Sequence, residues 1–435
     1  MSRIAEIAAA LAGYDPKALG VDAVQAFLAQ LAEPAIVTEV ERLALRDALG
    51  RVLAEDIVSP VSVPPHDNSA MDGFAFDGAQ LEAAGDTALS LRVVGTALAG
   101  AAWRGASGTG DAVKIMTGAV MPAGLDTVIP QEFCTVEGDR VSFPAKALRR
   151  GDNRRFAGED LMQGQPALRR GQIVTPAALG MVASLGLPMV PVLRRLRVAY
   201  FSTGDEILSL GELPREGAVY DSNRYTVFGL LTRLGCEVID LGLVRDDPAA
   251  LESALRRAAA QADAIITSGG VSVGEADHTR AVMQRLGDMA FWRVAMRPGR
   301  PMAVGLIPAP GAPRGPAVLF GLPGNPVAVM VTFLAFVRPA LLKMMGCNPA
   351  CAAPPPLLRA TSVDAIRKKP GRTEYQRGRV EQVAGALPQV RIAGNQGSGV
   401  LSSMVEANGL VVLHHDQASV APGDTVDVMI FDGVV

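Results

Sequence analysis

The sequence is poor in the residues that most often mark metal and hydrolytic enzymes. It has four histidines in 435 residues, none set in an HExxH or comparable ligand pair, which argues against a zinc enzyme and against a His-based triad. It has four cysteines, Cys134, Cys236, Cys347 and Cys351. No second Cys or His pair completes a zinc site with Cys347 and Cys351, so they read as reduced thiols of a cytosolic protein. No charge excess exists either. The formal net charge is -3, which leaves no electrostatic footprint for nucleic acid. The start, "MSRIAEIAAALAGYDPKALG", lacks the basic region and unbroken apolar core of a signal peptide. The apolar run of the C-terminal half, "VAVMVTFLAFV", ends at Arg338 and is too short to span a bilayer. These absences predict a cytoplasmic protein with neither nucleic acid nor membrane as a partner.

What remains is a packed composition, 49% hydrophobic and 20% charged, in a chain too long for one core. Residues 21–60 carry apolar residues at helical spacing in "VDAVQAFLAQLAEPA" and "EVERLALRDALGRVLAEDI". "VSPVSVPP" breaks that pattern, and short apolar runs cut by Gly and Pro follow. "TPAALGMVASLG" then returns to helix. The prediction is a helical domain of residues 1–60 plus 166–195, interrupted by an inserted β-rich domain, 61–165. Strand–helix alternation over 196–347 predicts a doubly wound, mostly parallel α/β domain. "CAAPPP" reads as a linker, and 352–435 as a C-terminal β domain.

In an open α/β sheet, ligands bind beyond the carboxyl ends of the strands. The predicted strand ends carry "STGDE" (202–206), "RDD" (245–247), "TSGGVSVGEADHT" (267–279), "RPGRP" (297–301) and "GLPGNP" (321–326). Each has a structural reading. Asp and Ser cap helices, and Asn325 suits an N-cap with Pro326 at the first helical position. "TSGGVSVGEAD" is harder to dismiss, because paired glycines let backbone approach a ligand and successive N–H groups bind anions. It is neither a Walker A motif nor GxGxxG. Glu206, Asp246 and Asp277 would share one crevice with Arg297 and Arg300. Carboxylates beside a phosphate call for Mg²⁺ between them, and arginines suit oxyanions. The residues alone point to an enzyme that handles a phosphorylated ligand with Mg²⁺. A separate aperiodic loop, "PHDNSAMDGFA" (65–75), holds two more carboxylates, Asp67 and Asp72.

The motifs "DNSAMDGFA", "IMTGAVMP", "GEDL", "FSTGDEI", "YDSNR", "RDDP", "SGGVSVGEAD", "RPGRPMA", "GLPGNPVA" and "NQGS" run in order from about Val40 to Met429. In this the chain resembles the molybdopterin molybdenumtransferases, the MoeA and gephyrin E-domain family. The resemblance implies an elongated homodimer that converts adenylylated molybdopterin and molybdate into molybdenum cofactor and AMP, with Mg²⁺. It implies catalytic roles for Asp72, Thr117 and Asp160, in an inserted domain that faces the crevice of the other subunit. It likewise implies catalytic and Mg²⁺-holding roles for Glu206, Asp246 and Asp277. Ser268, Gly269, Gly270, Val271 and Ser272 would cradle the pyrophosphate. Thr203, Gly204, Asp205, Ser222, Pro298, Pro323, Gly324, Asn325 and Pro326 would line the substrate site. Arg297, Arg300, Arg377 and Ser398 would meet molybdate, a dianion better served by arginine and hydroxyls than by carboxylates. Relatives often carry Lys where this chain has Arg297 and Arg300. Asp67 is expected to brace its loop. A transient contact with the molybdopterin adenylyltransferase is implied as well. Two alternatives stand beside this reading: the adenylylation step itself, and a non-catalytic scaffold.

Overall fold

The alternation over residues 196–345 builds one six-stranded sheet. The computed structural model of the chain describes residues 2–270, 277–311 and 315–431, leaving out the side chains of Asp277 and His278. Across the sheet the strands run Glu237–Val244, Arg197–Thr203, Ala264–Ser268, Ala317–Leu322, Pro301–Ile307 and Asp288–Arg293. The first four are parallel neighbours, and Pro301–Ile307 is antiparallel to both strands beside it. The chain moves outward from Arg197–Thr203 to Glu237–Val244, then returns to the other side of its first strand. That reversal leaves a crevice at the carboxyl ends of Arg197–Thr203 and Ala264–Ser268.

Both faces of the sheet are covered, which explains the continuous apolar strands. Val198, Tyr200, Ile266 and Phe320 join one core with Val227 and Leu231 of helix Ser222–Leu234. Their neighbours Ala199, Phe201, Ile265 and Leu319 face the opposite core. Leu251 and Leu255 of Pro248–Gln261, and Met283 of Asp277–Leu286, complete that second core. This is the two-residue alternation of a strand. The apolar run expected to stop at Arg338 continues as helix to Met344. Helix Pro326–Met344 is long and apolar enough to cross a membrane, yet 83% of its most apolar 18-residue stretch is buried inside the fold. It is the core helix of the first face.

The N-terminal segment corrects the sequence reading. Helices Arg3–Ala10 and Val21–Ala32 form, but they pack on the α/β domain. Phe27 meets Trp292 edge-on at 4.8 Å, and Trp292 Nε1 donates to Tyr14 Oη at 2.8 Å. The helix expected over 39–57 is not formed. Val40–Ala44 is a strand antiparallel to Met189–Leu193, a short 3₁₀ turn follows at Leu45–Ala48, and Ile57–Val58 pairs with Pro166–Leu168. Pairing with a distant segment overrides local helix propensity. Ala48, Leu53 and Ile57 are buried against Val174, Val182 and Val192, a separate small core. Pro176–Ser184 is helical as expected, and Thr175 Oγ1 accepts from Ala178 N–H at 3.2 Å.

The insertion is a six-stranded sheet in the order Thr127–Pro130, Gly73–Phe76, Asp111–Ile115, Ala88–Ala97, Arg140–Pro144 and Thr135–Glu137. In the C-terminal domain, Thr373–Glu381, Gln389–Ile392, Leu358–Ser362, Thr425–Ile430 and Gly409–Leu413 follow one another, and the last pairs back onto Thr373–Glu381. This closes a small barrel. Met296–Arg297 pairs with Thr373–Glu374 as an extra strand. A stretch leaving the α/β domain is thereby stitched to the barrel beside the crevice.

Candidate active site

Four of the five strand-end motifs line two adjoining cavities of about 450 and 600 Å³, whereas Arg245, Asp246 and Asp247 line neither. Glu206, Gly269, Gly324 and Asn325 line both. Gly270, Arg297, Pro298, Pro323 and Ser398 line the smaller, and Thr203, Ser222, Ser268 and Pro326 the larger. Arg300 is exposed and lines neither. Val271, Ser272 and the Asp277 side chain lie outside the described residues.

The turn after Ala264–Ser268 demands glycine. Gly269 has φ +91° and Gly270 φ +65°. A Cβ on Gly269 would fall 2.5 Å from the Thr203 carbonyl oxygen, a backbone atom that cannot step aside. Gly269→Ala is expected to destabilise the protein by about 2 kcal/mol in urea unfolding, from left-handed strain plus overpacking, and to weaken ligand binding in the adjoining cavities.

Among the carboxylates, the structure separates capping from site roles. Asp247 is the cap of Pro248–Gln261, accepting from Ala250 N–H at 2.8 Å. Its neighbour Asp246 instead accepts from Thr203 Oγ1 at 2.5 Å, and its N–H donates to Asp205 Oδ1 at 3.4 Å. Glu206 folds over Gly204, where a Cβ would fall 2.6 Å from Glu206 Oε2. Among the described residues no group of three His, Cys, Asp or Glu is gathered to hold a metal. Glu206 and Asp246 are both exposed at the crevice mouth, and their oxygens are the hard donors that suit Mg²⁺.

Arg377 and Asn325 act differently from their sequence expectations. Arg377 is only 1% exposed. Its Nε donates to Ser403 Oγ at 3.0 Å, and its Nη2 to the carbonyls of Asn395 and Gly397 at 2.9 and 3.0 Å. Burial, reinforced by the Arg297 charge, holds its pKa below the usual guanidinium value. Arg377 therefore braces the loop 395–398, and that loop carries Ser398 to the crevice. Asn325 occupies the N-cap position, with Pro326 after it, but its side chain makes no cap bond. Its Nδ2 donates to Ser398 Oγ at 3.0 Å. The helix donor at Val327 is satisfied by the Ser398 carbonyl at 3.1 Å. Sequence reasoning also passed over Gln396, Asp221 and Asn223, all of which line the cavities. The last two lie within "YDSNR", whose Asp reads as a plain helix cap.

A second cluster stands in the inserted domain. Asp72 Oδ1 accepts from Thr117 N–H at 2.7 Å and from Thr117 Oγ1 at 2.8 Å. These two bonds, the backbone one foremost, hold its carboxyl below the usual carboxylate range. Asp67 does brace the loop. Its Oδ1 accepts from Ala157 N–H at 2.7 Å and its Oδ2 from Arg154 Nε at 3.0 Å. The Ala157 bond first, then Arg154, keeps its carboxyl depressed as well. Asp160 is exposed, and its N–H donates to the Val63 carbonyl at 3.1 Å. The structure thus unites Asp72 with Thr117. Among the described residues no hydrogen bond or ion pair joins this cluster to the crevice.

Three family models match the chain in succession. They are the "MoeA N-terminal region (domain I and II)" over residues 20–186, the "Probable molybdopterin binding domain" over 199–343 and the "MoeA C-terminal region (domain IV)" over 359–431. The chain belongs to the MoeA family. A molybdopterin molybdenumtransferase of Haemophilus influenzae is 40% identical, covering 91% of this chain and 95% of the relative. One from Nostoc sp. is 36% identical, covering 90% and 88%. Among solved structures, a molybdopterin biosynthesis MoeA protein of Pyrococcus horikoshii superposes with a TM-score of 0.77 at 28% identity, covering 95% of this chain and all of that one. The MoeA likeness thus extends over all four parts of the fold.

Proposed function

We propose that the protein is a molybdopterin molybdenumtransferase, which inserts molybdenum from molybdate into adenylylated molybdopterin and releases AMP. The observation that carries this reading is the pair of adjoining cavities at the sheet's reversal point, walled on one side by the barrel loop bearing Ser398. The barrel loop is a part that an adenylyltransferase built on the α/β domain alone would not need. The bond broken is the phosphoanhydride joining AMP to molybdopterin. Gly269 and Gly270 allow the backbone to lie against its phosphates. Arg297 offsets charge in the smaller cavity. Ser398 accepts from Asn325, so its own O–H remains free to donate to a molybdate oxygen. Mg²⁺, held at the Glu206 and Asp246 carboxylates, would neutralise the departing phosphate.

Asp72 and Thr117 complete the site from a second copy in a homodimer. Support comes from their outward placement and from the absence of any bond to the crevice among the described residues. The enzyme works in the cytoplasm and receives its labile substrate through a transient contact with the adenylyltransferase. Purified protein given adenylylated molybdopterin, molybdate and Mg²⁺ is expected to release AMP above a protein-free control. EDTA should suppress the release, and added Mg²⁺ should restore it. No AMP above the control overturns the reading, and ATP consumption with free molybdopterin would favour the adenylylation alternative.

A further inference from the structure

Strand Thr373–Glu381 has one edge that two other strands share without filling it. Its opposite edge is paired along Glu374–Gly378 by Gly409–Leu413. On the shared edge, Met296–Arg297 pairs at Thr373 and Glu374, and Gln389–Ile392 pairs from Gly378 onward. Among the described residues, no strand pairs with Tyr375, Gln376 or Arg377 on that edge. An unpaired edge leaves backbone N–H and C=O groups open. At Arg377 a side chain takes the place of the missing strand. Gln396 Oε1 accepts from Arg377 N–H at 2.8 Å, and Gln396 Nε2 donates to the Arg377 carbonyl at 3.1 Å. One amide thereby repeats the paired bonds of an antiparallel ladder. The second hydrogen of Nε2 goes to the Ala393 carbonyl at 2.7 Å. Only this orientation of the amide works. Turned over, its oxygen would face two carbonyls and its nitrogen an N–H.

Gln396 lines the smaller cavity, yet both hydrogens of its amide are spent inside the fold. The residues beside it are spent as well. Asn395 Oδ1 accepts from Gly397 N–H at 2.8 Å, and the Asn395 and Gly397 carbonyls accept from Arg377 Nη2. The hold is mutual: the Arg377 side chain binds the main chain on either side of Gln396, and the Gln396 side chain binds the main chain of Arg377. Ser398 comes next. Its carbonyl accepts from Val327 N–H and its Oγ from Asn325, so its hydroxyl hydrogen is the first in the loop left for a ligand.

We infer that Gln396 is a positioning residue for molybdate: standing in for a strand at Arg377, it fixes the register of the loop 395–398 and so the place of the Ser398 hydroxyl. The inference rests on the proposed reaction and deepens it. The residue type matters. Glutamate would set an acceptor against the Ala393 and Arg377 carbonyls, and asparagine is one methylene too short to keep both bonds.

The test uses the full-length protein and molybdate alone, with binding read by equilibrium dialysis. Gln396→Met keeps the length and removes every bond of the amide. It is expected to weaken molybdate binding about tenfold in a folded protein, as is Ser398→Ala. Because Gln396 acts through Ser398, the double variant should also lose about tenfold, whereas two independent effects would multiply to about 100-fold. Hydrogen exchange supplies a second readout. The Val327 amide, bonded to the Ser398 carbonyl, should exchange faster in Gln396→Met. Unaltered molybdate affinity in Gln396→Met overturns the inference, as does a multiplied loss in the double variant or unchanged exchange at Val327. So does an unaltered protein that binds no molybdate. Should Gln396→Met not fold, the unaltered protein decides. Its Arg377 amide should exchange as slowly as that of Arg379, which has Arg391 opposite, and rapid exchange at Arg377 overturns the inference. Binding and exchange as expected without AMP release would sink the proposed reaction alone. AMP release together with full molybdate affinity in Gln396→Met would sink this inference alone.

Discussion

Asp72→Ala is expected to lower AMP release by about 100-fold or more while leaving the fold intact. Asp72 is half-buried in the inserted domain, and both its bonds go to one residue through Oδ1, which leaves Oδ2 for substrate. Removing it breaks no core contact, so melting should move little. Asp72→Asn separates charge from shape. It can still accept from Thr117, and it should be about as impaired as the alanine variant if the charge is what acts. The pH dependence has a definite sign. The folded carboxyl sits below the ordinary 3.8, so its charge is complete above that value and is lost only as pH falls through the lower folded one. Between about pH 5 and 8, Asp72 should add no limb to the rate profile. An acid limb near pH 6 that vanishes in Asp72→Asn would contradict this. Mixed dimers give the strongest check. If Asp72 serves the crevice of the other copy, Asp72→Ala and Glu206→Ala proteins, each inactive, should regain activity when re-assembled together. No recovery would place Asp72 outside the reaction in trans.

Arg377→Met should be the most destabilising of the substitutions considered, by about 3 kcal/mol in urea unfolding. It leaves the Asn395 and Gly397 carbonyls and the Ser403 hydroxyl without their donor in a buried place. Arg377→Lys tests what the residue does. Lysine keeps the charge but not the planar fork that holds three oxygens at once. If Arg377 binds molybdate as a bare charge, the lysine variant keeps its KM for molybdate. If it braces the loop, Ser398 loses its position against Asn325 and that KM rises about tenfold in a folded protein. The bonds already made by Nε and Nη2 favour the second outcome.

The α/β domain was legible because its strands and helices follow local periodicities, and because its motifs fall where such strands end. Asp67 was legible too, since an aspartate in a tight loop has few other uses. The region around Val40–Ala44 was not. Its helical spacing is real, but its partner strand lies near Met189, and no local rule sees that far. Arg377 was misread for a related reason, and Asn325, which does stand at the N-cap and line both cavities, was read without its side-chain partner. A sequence names a donor group without saying what it faces, and both turn towards the loop 395–398. Asp221 was read only as a cap because one oxygen does that duty. Its other oxygen is buried in the fold with no hydrogen-bond partner.

The Ser398 carbonyl that closes the start of helix Pro326–Met344 has a consequence for how the protein comes into being. Every strand of the α/β sheet is complete by Leu322, and its core helix by Met344. The wall of the crevice is not, because the loop 395–398 is held by Arg377 on a barrel that closes only when Gly409–Leu413 pairs back onto Thr373–Glu381. A chain emerging from the ribosome thus contains every strand of the sheet well before it contains the loop that walls the crevice. The crevice gains its last wall only from residues made after the sheet and its core helix.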